Sequence, residues 1–131
     1  MKIVIDSNVW ISALIFGGKP RHIFERAVAD GWAIVVSEEI FTEIRRVIST
    51  KFKDFVEDFE AFQSILKPYL IEVKLGSIKV SKCRDENDNV VIETAIIGDA
   101  VCIISGDKDL LDLIKYENIS ITSPSDFLKS L

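Results

Sequence analysis

The chain has 131 residues, 48% of them hydrophobic, which fits one domain with a real core and excludes a disordered tail. It carries no apolar run of membrane-spanning length and no signal-peptide pattern, and two cysteines with one histidine make neither a disulfide framework nor a Cys/His zinc site, so the cytoplasm is the expected compartment. Its formal net charge of −5 has the wrong sign for a protein that holds nucleic acid by bulk surface charge.

KIVID, Lys2 to Asp6, is a short β-branched run ending in an acid and predicts a buried strand. Asn8 to Phe16 is apolar on nearly every side and predicts a short helix, broken by Gly17-Gly18. Pro20 suits the first turn of a second helix, which runs to about Ala29 and is closed by Gly31. Ala33 to Val36 predicts the second strand. Ser37 is a good N-cap for a third helix, with Glu38 and Glu39 in its first turn and Ile40, Phe41, Ile44, Val47 and Ile48 on its inner face. A further helix fits Val56 to Lys67, with Phe59, Phe62, Ile65 and Leu66 inward and Pro68 ending it. Leu70 to Val73 predicts a third strand, and Gly76 to Arg84 a connection. Asp88 to Ile97 fits a buried helix. Val101 to Ile104 predicts a fourth strand, with Cys102 as a small core residue. Lys108 to Tyr116 predicts a helix, Ile119 to Ile121 a fifth strand, and Ser123-Pro124 opens a last short helix holding Phe127 and Leu128. Strands alternating with helices make an α/β fold with a parallel sheet covered on both faces, and such sheets bind ligands beyond the carboxyl ends of their strands.

That rule gives meaning to the acids. In CRDENDN, Cys83 to Asn89, five carboxylate or amide side chains precede an apolar run. They read as a helix start, as a calcium loop, or as part of a site shared with distant residues. The calcium reading fails, because it needs Gly at Val90 and Glu at Ile96. Asp6 ends the first strand, Asp107 follows the fourth, and Asp88 opens the helix leading into the fourth. Glu43 lies about 40° outside the apolar arc of its helix, where a side chain can reach a cleft. Each has a plainer reading. Asp6 could bond Asn8 in a turn, Glu43 could be solvated, and Asp107 and Asp109 could cap the following helix. Together those readings leave unexplained why acids gather at one end of the sheet. A like-charge pair at ~4 Å costs ~4 kcal/mol at an effective dielectric of about 20. The remedy is a proton or a hard divalent cation with oxygen ligands, Mg²⁺ or Mn²⁺.

DSN at Asp6 to Asn8, the Glu43 helix, RDENDN, SGDKDLL at Ser105 to Leu111 and the terminal SPSDFL together resemble the PIN-domain ribonucleases, above all the small prokaryotic PIN proteins of toxin–antitoxin pairs. The resemblance spans essentially the whole chain as a single domain. It implies a three-layer α/β/α fold with a five-stranded parallel sheet, and a Mg²⁺ or Mn²⁺ site in which Asp6, Glu43, Asp88 and Asp107 are the catalytic and metal-binding acids. Ser7, Asn8, Ser105 and Asp109 match supporting polar positions, and Asp85 matches a recurrent acid of this subgroup. The resemblance further implies RNA as substrate and a separate antitoxin chain as partner. The antitoxin's groove, or a homodimer contact, would use apolar surface around Trp10, Ile11 and Phe16, unless these are core residues. The residues alone add that no His pair exists for acid–base work, since His22 stands by itself, so a metal-activated water is the expected nucleophile. Bound cations would turn the acids from a repulsive surface into a socket. Lys19, Arg21 and Arg26 on one helix, and Arg45, Arg46, Lys51 and Lys53 near Glu43, could make weak phosphate contacts.

Other readings are narrower. A phosphoaspartate receiver needs an Asp at the end of its middle strand, and Ile71 to Lys79 has none. A haloacid-dehalogenase-type phosphatase needs Asp where Asn8 stands. A non-catalytic PIN-fold binding module, or a nuclease acting on DNA or ribosomal RNA precursors, remains an alternative.

Overall fold

A computed structural model describes all residues, 1–131. The first strand, β1 (Lys2–Ile5), buries Ile3, Val4 and Ile5 completely, as expected of a central strand with helices on both faces. It pairs in parallel with β2 (Ala33–Ser37) on one side and β4 (Cys102–Ile104) on the other. Parallel pairing continues outward, from β2 to β3 (Leu70–Val73) and from β4 to β6 (Ile119–Thr122). A two-residue edge strand, β5 (Lys115–Tyr116), adds antiparallel to β6, and the order is β3-β2-β1-β4-β6-β5. The chain therefore leaves β1 toward one edge and returns to β1's other side with β4. The crevice of such a sheet lies where that reversal occurs, at the carboxyl ends of β1 and β4.

Seven helices cover the sheet: α1 (Ser7–Ile15), α2 (Gly18–Asp30), α3 (Glu38–Lys51), α4 (Val56–Leu66), α5 (Glu86–Ile97), α6 (Lys108–Leu111) and α7 (Pro124–Lys129). Trp10 of α1 is buried with Phe24, Phe41, Phe59 and Phe62 edge-on around it, the nearest at a centroid distance of 4.7 Å. Such edge-to-face pairs add to the area they bury. Trp10 is thus core and not docking surface; Ile11 is half-buried against that core, and Phe16 is 77% exposed.

The α5 helix lies against β1, β2 and β4 and is fastened to β2 at two points. The Ser37 and Thr94 hydroxyls share a buried hydrogen bond of 2.9 Å, and Thr94 donates onward to the Val90 carbonyl. At the helix end, a Cβ on Gly98 would stand 2.2 Å from Val35 Cγ1. Gly98→Ala should therefore push α5 off β2 and cost about 1–3 kcal/mol, read as a lowered denaturation midpoint. Wild-type stability for that variant would mean the contact yields freely.

Three expectations need correction. The predicted helix from Lys108 to Tyr116 stops at Leu111. Ile114 takes φ 64° and Glu117 φ 52°, and Lys115–Tyr116 turn back as a strand, because a two-residue turn at Glu117-Asn118 lets them pair with β6. The sheet therefore has six strands, five of them parallel, and the short β5 covers one edge. Finally, Ile65 is 70% exposed, not inward. Phe59, Phe62 and Leu66 already fill the inner stripe of α4, and Ile65 falls about 60° beyond Phe62.

Candidate metal centre at the sheet rim

Ile5 of β1 and Ile104 of β4 are paired, so Asp6 and Ser105 leave the sheet side by side. The Asp6 N–H donates to the Ile104 carbonyl at 2.9 Å, carrying the ladder one residue past the strand. The Asp6 side chain, buried at 6% exposure, does two jobs. Its Oδ1 accepts the Ser7 N–H at 2.7 Å and caps α1, while its Oδ2 accepts the Ser105 hydroxyl at 2.7 Å. The Ser105 oxygen in turn accepts the Asp107 N–H at 2.9 Å. One buried serine thus sets the spacing of two acids from different strands. Burial pushes the Asp6 carboxyl above its ordinary value, the bonds from Ser105 and Ser7 pull it back, and the Asp107 charge raises it. Asn8 Oδ1 accepts the Gly106 N–H at 3.2 Å, tying the turn after β4 to α1. Asp107 caps α6 by accepting the Asp109 N–H at 3.1 Å.

The third acid arrives on α5. Asp85 is the N-cap, accepting the Asn87 N–H at 2.9 Å, so the helix opens at Glu86 and not at Asp88 as expected. Freed from the cap, Asp88 sits in the first turn, buried at 5% exposure, and its Oδ2 has no hydrogen-bond partner. Carboxylate oxygens of Asp88, Asp107 and Asp109 all lie within 4.8 Å of one another. Burial, then a shared bond with Asp107 and its charge, then Asp6 and Asp85, push the Asp88 carboxyl up to about 7. Two ionised carboxylates cannot donate to each other, so Asp88 and Asp107 can share a hydrogen bond only if one of them carries a proton. A buried orphan oxygen in an all-oxygen donor set calls for that proton or for a hard cation. The residues fit Mg²⁺ or Mn²⁺.

The trio differs from the predicted set. Asp109, expected as a supporting residue, shares the locus, while Asp6 stands behind it through Ser105. Glu43 is not in the trio. It is 21% exposed on α3, with both carboxylate oxygens 3.0 Å from Arg46 Nη2. It lines a cleft of about 870 Å³ that also takes in Glu39, Glu72, Lys74 and Asn87. Asn87 is the residue before Asp88, so this cleft opens at the start of α5. Among the expected phosphate contacts, Arg45 pairs with Glu38, Arg46 with Glu43, and Lys51 is exposed at the end of α3.

Three residues take roles that the sequence does not assign to them one by one. Asn89 is buried and grips Cys83 twice, accepting its N–H at 2.8 Å and donating to its carbonyl at 3.1 Å. Glu93 is buried and accepts the Val80 N–H at 2.9 Å, anchoring the connection between β3 and α5. A charged residue inside an otherwise apolar helix was the available signal for Glu93. Arg84 lies 3.6 Å from Asp109.

Residues 2–109 match the family model described as PIN domain. The chain belongs to the PIN-domain family, which places it in a class of nucleases. It is similar to an uncharacterised protein of Methanocaldococcus jannaschii, MJ1680, with 32% identity over 98% of this chain and 90% of that protein. Among solved structures its fold is similar to a chain in the crystal structure of VapBC2 from Rickettsia felis bound to a DNA fragment from their promoter. The TM-score is 0.65 at 13% identity, over 94% of this chain and 98% of the other.

Proposed function

We propose that this chain is a metal-dependent endoribonuclease, the toxin of a type II toxin–antitoxin pair acting in the cytoplasm. The observation that carries the chemistry is the trio Asp88, Asp107 and Asp109 within 4.8 Å, with one buried oxygen unpartnered. These carboxylates would hold a Mg²⁺ or Mn²⁺ ion. The ion supplies Lewis acidity toward the phosphodiester and a water nucleophile at neutral pH. Asp6 adds negative charge behind the trio and, through Ser105, fixes where Asp107 stands. Glu43, the fourth acid, borders the adjoining cleft, where it can join the site when Arg46 releases it. Arg45 and Arg46 are largely exposed in their pairs with Glu38 and Glu43, which leaves both, with Lys51, in reach of phosphates. His22 is exposed on α2 beside Glu25, so the rim has no imidazole to move protons.

The toxin role rests on the family resemblance and on the fold shared with a chain of the VapBC2 complex. An antitoxin chain is the expected partner, a second copy a further one, and the exposed Phe16 at the end of α1 belongs to the surface either would meet. No helix is long and apolar enough to cross a membrane.

The reading is tested by incubating the protein with a mixed RNA pool and mapping the ends. Cleavage in Mn²⁺ that stops in EDTA and leaves 5′-phosphate and 3′-hydroxyl ends is the expected result. A 2′,3′-cyclic phosphate would overturn it, since that product requires attack by the RNA's own 2′-hydroxyl. Absent cleavage would favour a binding module, and cleavage that persists in EDTA would overturn the metal mechanism.

A further inference from the structure

One ion pair reaches the acidic trio. Arg84 Nη2 lies 3.6 Å from Asp109 Oδ2, and no other ion pair of the molecule joins a basic residue to Asp88, Asp107 or Asp109. The backbone of Arg84 is fixed on both sides. Cys83 before it is gripped twice by Asn89, and Asp85 after it caps α5. Its side chain, by contrast, is 92% exposed. The root is rigid and the guanidinium is free to swing.

A pair at 3.6 Å is beyond hydrogen-bond distance, and an exposed contact of that kind contributes little to folding. A guanidinium presents a planar fork that can grip a phosphate by two parallel bonds, which this single loose contact leaves unused. The location adds a reason. A chain of net charge −5 displays acids where a polyanion must approach, and Arg84 offsets Asp109 at that entrance.

We propose that Arg84 is a substrate-binding residue that grips the RNA phosphate at, or next to, the bond presented to the acidic rim, with Asp109 as its resting place when no RNA is bound. This rests on the ribonuclease reading above. A phosphate contact of this kind positions the nucleic acid without reading a base.

The test uses the full chain with Arg84→Gln and Arg84→Lys. Binding of a fluorophore-labelled single-stranded RNA is followed by anisotropy in Ca²⁺ across a salt series, and cleavage is measured in Mn²⁺. For Arg84→Gln, affinity should fall about tenfold, and the slope of log K against log salt should shrink by about 0.7, one phosphate contact on a single strand. Its kcat/KM should fall about 10- to 100-fold, as for a lost charge-assisted bond. Arg84→Lys should restore the salt slope but only part of the rate, since an ammonium replaces the charge and not the fork. Mn²⁺ affinity without RNA should hold or tighten in Arg84→Gln, because a competing cation has gone. Wild-type RNA affinity and slope in Arg84→Gln would overturn the proposal, as would weakened Mn²⁺ binding, which would mark a support for the acids. A wild type that binds RNA in an Arg84-dependent way yet cleaves nothing would sink the ribonuclease reading and leave this contact standing. A wild type that binds no RNA would end both.

Discussion

Replacing Asp88 by Asn should lower metal-dependent cleavage by about a thousandfold or more and, at the same time, raise the melting temperature of the metal-free protein. The two effects have one cause. Asp88 is buried, its Oδ2 is orphaned, and burial with the neighbouring Asp107 pushes its carboxyl up to about 7. Without a cation it stands where its charge is unwelcome. An Asn amide keeps the shape, carries no charge and can donate the hydrogen bond to Asp107 that an ionised carboxylate cannot. Against this stands the loss of an acid from the first turn of α5, which costs ~0.3–1 kcal/mol through the helix dipole. Like-charge repulsion at ~4 Å is worth up to ~4 kcal/mol at an effective dielectric of about 20. Part of that is already relieved near neutrality, because the raised Asp88 carboxyl keeps its proton more readily than an ordinary one. The balance favours the amide by about 1–2 kcal/mol, or about 3–6 °C for a domain of this size. Thermal denaturation in EDTA and an RNA cleavage assay read the two halves separately. A lower melting temperature for Asp88→Asn in EDTA would show that the acid serves the fold, not a ligand.

Stability should also run against pH in a way that metal reverses. The Asp88 carboxyl has an ordinary value of 3.8 and is pushed to about 7 in the fold, and Asp6 is shifted in the same direction. Between those two values the folded chain holds more protons than the unfolded one, so unfolding free energy falls as pH rises through that window. The stabilising proton is fully present below the unfolded value and lost above about 7. In EDTA, the melting temperature should therefore be higher at about pH 5.5 than at about pH 7.5, insofar as these two acids govern the trend. Saturating Mn²⁺ should raise the melting temperature at the higher pH, adding about 2.7 kcal/mol of unfolding free energy at a hundredfold excess over Kd. The rise should be smaller at the lower pH, where protons compete for the same oxygens. A melting temperature that climbs with pH in EDTA, or that ignores Mn²⁺, would mean the trio is not a cation socket.

Asp6 was legible because an acid ending a β-branched run must leave the sheet at its carboxyl rim. Asp107 was legible for the same reason at β4. Glu43 could be placed at the edge of an inner face by helical spacing, but spacing could not show that Arg46 would occupy it or that its cleft opens beside Asn87. Asp85 and Asp88 were the harder pair. Both can accept a first-turn N–H, and only the path of the loop entering α5, held by Asn89 on Cys83, settles which one caps. Asp109 was read as support because two residues of chain separate it from Asp107. Asp107 stands outside the helix as its N-cap, and its side chain folds back to the Asp109 N–H, which brings the two carboxylates to one locus.

The sequence by itself determined the strand and helix order, the core, and the end of the sheet at which the acids gather, because alternation, helical period and caps are local and strands run one way. Only the tertiary structure decided which acids meet, that Ser105 links Asp6 to Asp107, that Arg84 rests on Asp109, and that Lys115–Tyr116 leave a predicted helix to pair with β6. Those outcomes depend on distances between segments far apart in the chain, and distance across a fold is set by packing, to which no residue pattern along the chain gives direct access.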